Sequence, residues 1–476
     1  MNGGGGNDDR VVGWRREARL LLSLAWPTFV ATVAEVGLNT SSLMFLGRSG
    51  QSDAMAGVAV AISVINTFAF APIVGLASAI DTLCSQAYGA GEYHRVGVFF
   101  QRGLIINVLF SLFLIVIFTQ VNHFLPFLMP REDNRGAVKG AAEFLRHYKW
   151  GLIPLAAFDA VRRYLLSQEM VYPLVIAALI GLFVNLIANE YLVTILEWGA
   201  TGSGISLAVS HFAMVISVSV VVLHRDIHKK TWGGWSWEAL SSINSFLRLS
   251  VPGLFQVCAE WWSFEVTVFV AAALGPVQLG SHAAIMNICF LTYILPYSIG
   301  SAASIRVGNL LGQGSAASAK HSSMVAVFLS ITVALFQSSF LLVFGGWVSD
   351  LYSTDTHTQE TIRATLSVFS FFVFTDGLQA TTQGILRGSG RQVVGAYGNV
   401  VAFLVLGLPL GCFLAFRTSV WSGVRGIWLG SLTAECCLIT IIYWILFRTN
   451  WIAEVALAAE RVGKTPTNSE YERIAP

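Results

Sequence analysis

The sequence predicts an all-α polytopic membrane protein, with twelve transmembrane helices in two related six-helix lobes. Three observations carry this expectation. The 476-residue chain is 55% hydrophobic and only 12% charged, with a mean hydropathy of +0.65, whereas soluble domains carry roughly 25% charged residues. Its apolar residues fall in long blocks, and a bilayer core requires about 20 of them per helix. Short patterns from the first half recur in the second half at a nearly constant offset.

Residues 1–19, MNGGGGNDDRVVGWRREAR, are glycine-rich and then basic and read as a cytosolic tail. The apolar run behind them is too long for a cleavable signal peptide. The first lobe, 20–224, holds apolar segments near 20–46, 54–80, 97–120, 141–167, 172–197 and 202–224. Residues 225–246 form a cytosolic inter-lobe linker, whose WGGWSW (232–237) suits an aromatic stretch hugging the membrane interface. The second lobe, 247–447, holds segments near 247–275, 281–306, 322–346, 361–386, 392–415 and 425–447. Residues 448–476 make a cytosolic tail that reads as polar and poorly ordered from about 452 onward. Glycine, proline and serine within the segments are compatible with membrane helices, where neighbours re-satisfy the backbone. Arg15, Arg16 and Arg19 before the first segment, with Arg225, Lys229 and Lys230 after the sixth, place both termini in the cytosol.

The repeat is visible in three places. Pro27 corresponds to Pro252, QAYGAG (86–91) to NLLGQG (309–314), and YLLSQEMVYP (164–173) to LRGSGRQVVG (386–395), all at an offset of about 223 residues. An offset that falls after an even number of helices implies a parallel repeat, and such architectures place a substrate site between their halves.

Composition also excludes. A net charge of +2 gives no reason to expect nucleic acid or an acidic partner. The six cysteines lie in or beside apolar segments without metal-ligand spacing and read as small buried hydrophobes. His224 and His228 share a helical face but adjoin a basic loop, and no metal site is expected. Without a P-loop, a G-x-S-x-G stretch or a Cys–His pair in catalytic context, an enzyme is not expected.

Ionisable groups inside the spans carry the functional expectation, because each costs several kcal/mol in hydrocarbon and faces a cavity or a partner. Asp159, with Arg162 and Arg163 three and four residues on, reads as a local ion pair. Glu35 can line the first lobe's cavity, and Glu190 lies near the outer half of its segment. Glu260, Asp376 and Glu435 fall at similar depth with no Lys or Arg within a helical turn; Glu265 lies about 140° around the helix from Glu260. Carboxylates gathered in low dielectric cannot all ionise, since burial and mutual repulsion favour the proton-bound form. Such a group binds protons and attracts an organic cation, to which Trp261 and Trp262 offer aromatic faces.

Four stretches, IDTLCSQAYGAG (80–91), CAEWWSFE (258–265), PYSIGSAASIRVGNLLGQG (296–314) and QGILRGSGRQVVGAYGN (383–399), resemble the multidrug and toxic compound extrusion (MATE) family in its eukaryotic branch. The resemblance implies the MATE fold: a V-shaped pair of lobes alternating between inward- and outward-facing states. It also implies export of a substrate in exchange for H+, or for Na+ in some relatives. It makes Glu260 the essential cation-binding acid, with Glu265 the other acid of that motif and Asp376 the helix-ten acid. Two positions depart from family patterns: Ser42, where prokaryotic relatives often carry an acid, and Asn287, where some animal organic-cation exporters carry a glutamate.

The resulting expectation is a secondary active multidrug or organic-cation exporter working by substrate:H+ antiport. Glu260, Asp376, Glu265 and Glu435 couple the cation, and Glu260, Trp261, Gln256 and Asn287 line the substrate cavity. No cofactor is expected, the partners are the bilayer and a small organic substrate, and the protein is a monomer of the plasma membrane or of a vacuolar or other organelle membrane. The alternatives are a Na+-coupled or an organic-anion or flavonoid-type transporter and, in another class, a membrane-embedded lipid-modifying enzyme.

Overall fold

A computed structural model describes residues 13–128 and 135–464. Among the described residues, twelve helical rods account for the twelve apolar segments. In chain order they are α1 (Trp14–Arg48), then α2 (Ser52–Ile65) continued through a π-helical stretch, Asn66–Phe70, into α3 (Ala71–Gly89), then α4 (Tyr93–Thr119). The short α5 (Val121–Leu128) precedes α6 (Arg135–Tyr148), which passes through a tight turn into α7 (Leu152–Ser167); α8 (Tyr172–Asn189) ends in a second π-helical stretch, Glu190–Ile195, and α9 (Gly199–His224) follows. The second half holds α10 (Ile243–Ala273), α11 (Pro276–Gly312), α12 (Ala316–Tyr352), α13 (Thr356–Ser389), α14 (Gln392–Asn399), a π-helical Val400–Gly407, α15 (Leu408–Arg417) and α16 (Val424–Phe447). Among the described residues, nine of these rods are long and apolar enough to cross a membrane by length and composition. The three that are not, α6–α7, α10 and α13, carry Asp159, Arg162 and Arg163, then Glu260 and Glu265, then Asp376. Ionisable and amide side chains dilute their hydropathy.

The described residues form two compact units, one within Pro27–Ile80 and Gly97–Val266, the other within Met1–Trp26, Asp81–Val96 and Thr267–Pro476. The first is called here the amino-terminal unit and the second the carboxy-terminal unit. α1, α3, α4 and α10 each contribute residues to both. In the amino-terminal unit α2 packs on α6, and α9 on α6, α7 and α8; in the other, α11, α12 and α13 pack mutually and α16 lies on α13 and α15. Apolar burial drives little of this in lipid, so close approach at small residues matters. α10 meets α3 where Gly253 faces Ser78 and Gly75 faces Leu254, and a Cβ on either glycine would collide with its neighbour. The Ser250 hydroxyl donates to the Leu76 carbonyl at 2.8 Å in the same contact. In the carboxy-terminal unit Gly384 and Gly388 of α13 approach the Gly300 and Ser304 carbonyls of α11 just as closely.

Two expectations change. The tail is not disordered through its described part: Trp451–Arg461 forms α17. Asn450 caps it, accepting from the N–H groups of Ile452 and Ala453 at 3.1 and 3.2 Å, while Trp451, Val455 and Ala458 make a buried stripe at helical spacing. Polar composition hid a short amphipathic helix; residues 465–476 lie outside the described ones. The cysteines also divide: Cys84, Cys258 and Cys289 are buried, but Cys436 is exposed, on an outward stripe of α16 shared with Thr440 and Trp444.

Candidate functional site

CAEWWSFE occupies the middle of α10, within the amino-terminal unit. Gln256 and Glu260, one turn apart, are 2% and 6% exposed. The Ser263 hydroxyl folds back on the Glu260 backbone carbonyl at 2.6 Å. The next residues dock on the α2–α3 rod at its π-helical stretch. The Trp261 ring packs at 5.7 Å from Phe70, and the Trp262 indole N–H donates to the Thr67 carbonyl at 2.9 Å. Glu265 Oε2 accepts the Ser63 hydroxyl at 2.6 Å. A π turn widens the helix and breaks the regular i−4 ladder, which is how a mid-helix carbonyl such as that of Thr67 comes to serve a neighbouring helix. Glu260 and Glu265 therefore have different surroundings: one is buried one turn on from the buried Gln256, the other is part-buried and held by a serine.

Asp376 and Glu435 belong to the carboxy-terminal unit, 3% and 0% exposed, on helices α13 and α16 that pack together. Trp428 of α16 stands edge-on to Phe369 and Phe372 of α13 at 4.8 and 5.1 Å. Asp376 follows Phe372 by four residues and Glu435 follows Trp428 by seven, so both carboxylates extend this aromatic seam along the same helix faces. His282 of α11 joins it, 5.7 Å from Trp428, with its Nε2 at 3.1 Å from the Thr267 hydroxyl. Asn287 is exposed and accepts the Tyr352 hydroxyl at 2.7 Å through Oδ1.

A second buried charge cluster lies on α1 and α7. Asp159 is clasped by Arg162 at 2.5 Å and by Arg163 Nε at 2.9 Å, as its i+3 and i+4 spacing predicts. What spacing does not convey is that Arg162 also reaches Glu35 of α1, at 3.4 Å, and that Arg163 donates to the Val74 carbonyl at 2.9 Å. Near the end of α1, Ser42 is fully buried and bonds its own helix at Leu38, while Ser41 donates to Asn185 of α8 at 2.5 Å. Glu190 is exposed.

The remaining motifs form one hub in the carboxy-terminal unit. Gly89 sits on the Asn309 carbonyl and Gly312 on the Gln86 carbonyl, so the two repeated glycine patterns pack against each other reciprocally. The Gln86 amide donates to the Gly388 carbonyl at 3.0 Å, and the Thr82 hydroxyl to the Arg387 carbonyl at 2.6 Å. The MatE family model matches the chain twice, over residues 27–190 and 252–413, beginning at the two corresponding prolines.

The chain belongs to the MatE family.

Among proteins similar to this MatE chain are the multidrug and toxin extrusion protein 1 of mouse, 34% identical over 443 residues (92% of this chain, 76% of the relative), and that of human, 32% identical over 446 residues (93% and 76%). The crystal structure of the eukaryotic MATE transporter AtDTX14 aligns with a TM-score of 0.89 at 26% identity, covering 95% of this chain and all of that one. An outward-facing multidrug resistance MATE transporter shares the fold at a TM-score of 0.78 and 16% identity, over 93% of this chain and 96% of its own. The MatE fold is thus an all-helical, multi-pass membrane architecture.

Proposed function

We propose that this MatE protein is a secondary active exporter of small organic cations, driven by protons that move inward through exchange at Glu260. The observation that carries the reading is Glu260 itself, a 6%-exposed carboxylate in the middle of a membrane helix, between Gln256 and the aromatic pair Trp261–Trp262. An acid in such a place is costly unless it serves an ion or a substrate. The names of the relatives, multidrug and toxin extrusion proteins, support a small organic cargo.

Ionised Glu260 attracts the cation, and Trp261 offers it a ring face. Protonation from the outer or luminal side removes that attraction, the cargo leaves, and deprotonation toward the cytosol restores the site. Exchange is coupled because proton and cargo favour different states of one group. Asp376 and Glu435 provide further buried acids for the cycle, Gln256 a polar contact for the cargo, and Glu265, tied to Ser63, holds α10 against the π turn. The protein acts as a monomer with both termini in the cytosol.

Uptake of a fluorescent organic cation into proteoliposomes under an imposed pH gradient tests the reading, with wild type compared with Glu260→Gln. Gradient-driven uptake in wild type and its loss in the variant is the expected result. Equal uptake by both rules out Glu260 as the coupling group; uptake that follows a Na+ gradient and ignores pH replaces the proton.

A further inference from the structure

We propose that Trp262 is a positioning residue for Glu260: by donating its indole N–H to the Thr67 carbonyl it sets the rotation of α10, and with it the side on which that carboxyl is presented. The role of Glu260 rests on the antiport reading; the docking of α10 does not.

The bond uses a carbonyl that the regular donors of its own helix do not serve. In an α-helix the Thr67 carbonyl accepts from the N–H of residue 71. Here the Ala71 N–H goes instead to the Asn66 carbonyl, one residue further back, in the π register. The π-register donor for Thr67 is residue 72, and residue 72 is a proline, which has no N–H. The π turn and Pro72 together withdraw both regular donors, and the Trp262 N–H takes their place at 2.9 Å. A backbone carbonyl left bare in a membrane is costly, so this bond serves both helices.

Trp261, on Phe70 at 5.7 Å, and Glu265, accepting from Ser63 at 2.6 Å, dock on the same rod. At 3.6 residues per turn, Trp261, Glu265 and Trp262 lie about 100°, 140° and 200° around the axis from Glu260. Gln256 lies within about 40° of Glu260. The docked face and the face carrying Gln256 and Glu260 are therefore opposite sides of one helix. Of the two hydrogen-bonded anchors, Glu265 grips a rotatable serine hydroxyl, whereas Trp262 grips a backbone carbonyl fixed in its turn. Without the indole bond, α10 turns on the weaker anchor, and Glu260, on the far side, turns with it. Cys258 is fully buried on the docked side, about 160° from Glu260, so its thiol reports the docking without taking part in it.

Trp262→Phe keeps a ring and deletes the N–H. In proteoliposomes of the full chain, two quantities test it: the rate at which a membrane-permeant maleimide alkylates Cys258, resolved by mass spectrometry, and the pH at which uptake of a fluorescent organic cation is half-maximal. The expected result is alkylation faster by about 5- to 10-fold, the effect of one lost hydrogen bond on a local opening, together with a displaced pH midpoint. Trp262→Phe combined with Pro72→Ala returns an N–H to residue 72 and satisfies Thr67 within its own helix. Its melting temperature is expected to recover toward wild type, while the fast alkylation and the displaced midpoint persist. Unchanged alkylation or an unmoved midpoint in Trp262→Phe overturns the proposal. Return of both to wild-type values in the double variant also overturns it, because the bond then serves the Thr67 carbonyl alone. Should Trp262→Phe fail to fold, the double variant decides by itself. Wild-type uptake that ignores pH, with alkylation still accelerated in the variant, removes the antiport reading and retains the docking of α10 by Trp262.

Discussion

Asp159→Asn separates the anchor of the buried charge cluster of the amino-terminal unit from its margin. Asp159 makes charge-assisted bonds of 2.5 and 2.9 Å to two guanidinium groups, with all three side chains less than a tenth exposed. Removing one member of a buried ion pair strands its partner and costs about 3–5 kcal/mol. Arg162 retains Glu35 and Arg163 retains the Val74 carbonyl, so the loss falls at the lower end, about 3 kcal/mol, or roughly 100-fold in the folded-to-unfolded ratio. Glu35→Gln removes only a 3.4 Å contact to Arg162 made by a glutamate side chain that is itself 19% exposed, and its cost is about 1 kcal/mol or less. Thermal unfolding of the purified variants in detergent, followed by tryptophan fluorescence, is the assay. The expected order is a large destabilisation for Asp159→Asn and a small one for Glu35→Gln. Equal losses, or the reverse order, would refute the assignment of Asp159 as the anchor of the cluster and Glu35 as its margin.

Two further outcomes follow from the packing and from the carboxy-terminal helix. Gly253→Val places a side chain on the Ser78 hydroxyl and against the Gly75 carbonyl oxygen; the expected result is loss of monodisperse protein on size-exclusion chromatography, whereas Gly280→Val, with open space around it, is tolerated. On α17, burial raises the Glu454 carboxyl above its ordinary range, with Arg391 and Arg461 opposing. The folded state then holds more protons than the unfolded one, so docking of α17 weakens as pH rises from the usual glutamate range through the raised value. Hydrogen exchange over Trp451–Arg461, compared at each pH between wild type and Glu454→Gln, is expected to show a difference that grows across that window and levels off above it, and a pH-independent difference contradicts the sign.

The sequence by itself determined the membrane class, the twelve segments and the repeat, because these depend on composition and order: about 20 apolar residues span a bilayer wherever they are placed, and a constant offset needs no coordinates. It also singled out the ionisable residues, since charge within an apolar block is conspicuous, and it found the Asp159 pair because partners three and four residues apart are neighbours on any helix. Only the tertiary structure decided which buried groups share surroundings. The reach of Arg162 to Glu35 spans two helices far apart in the chain. The docking of Trp262 on Thr67 depends on a π turn that Asn66–Phe70 does not announce, because widening a helix by one residue leaves the apolar pattern intact. The glycines of the repeated motifs likewise had no assignable partner until α3 and α11 were brought together, where Gly89 and Gly312 are required by the carbonyl that each one faces. Periodicity records which face a residue presents, but not what that face meets.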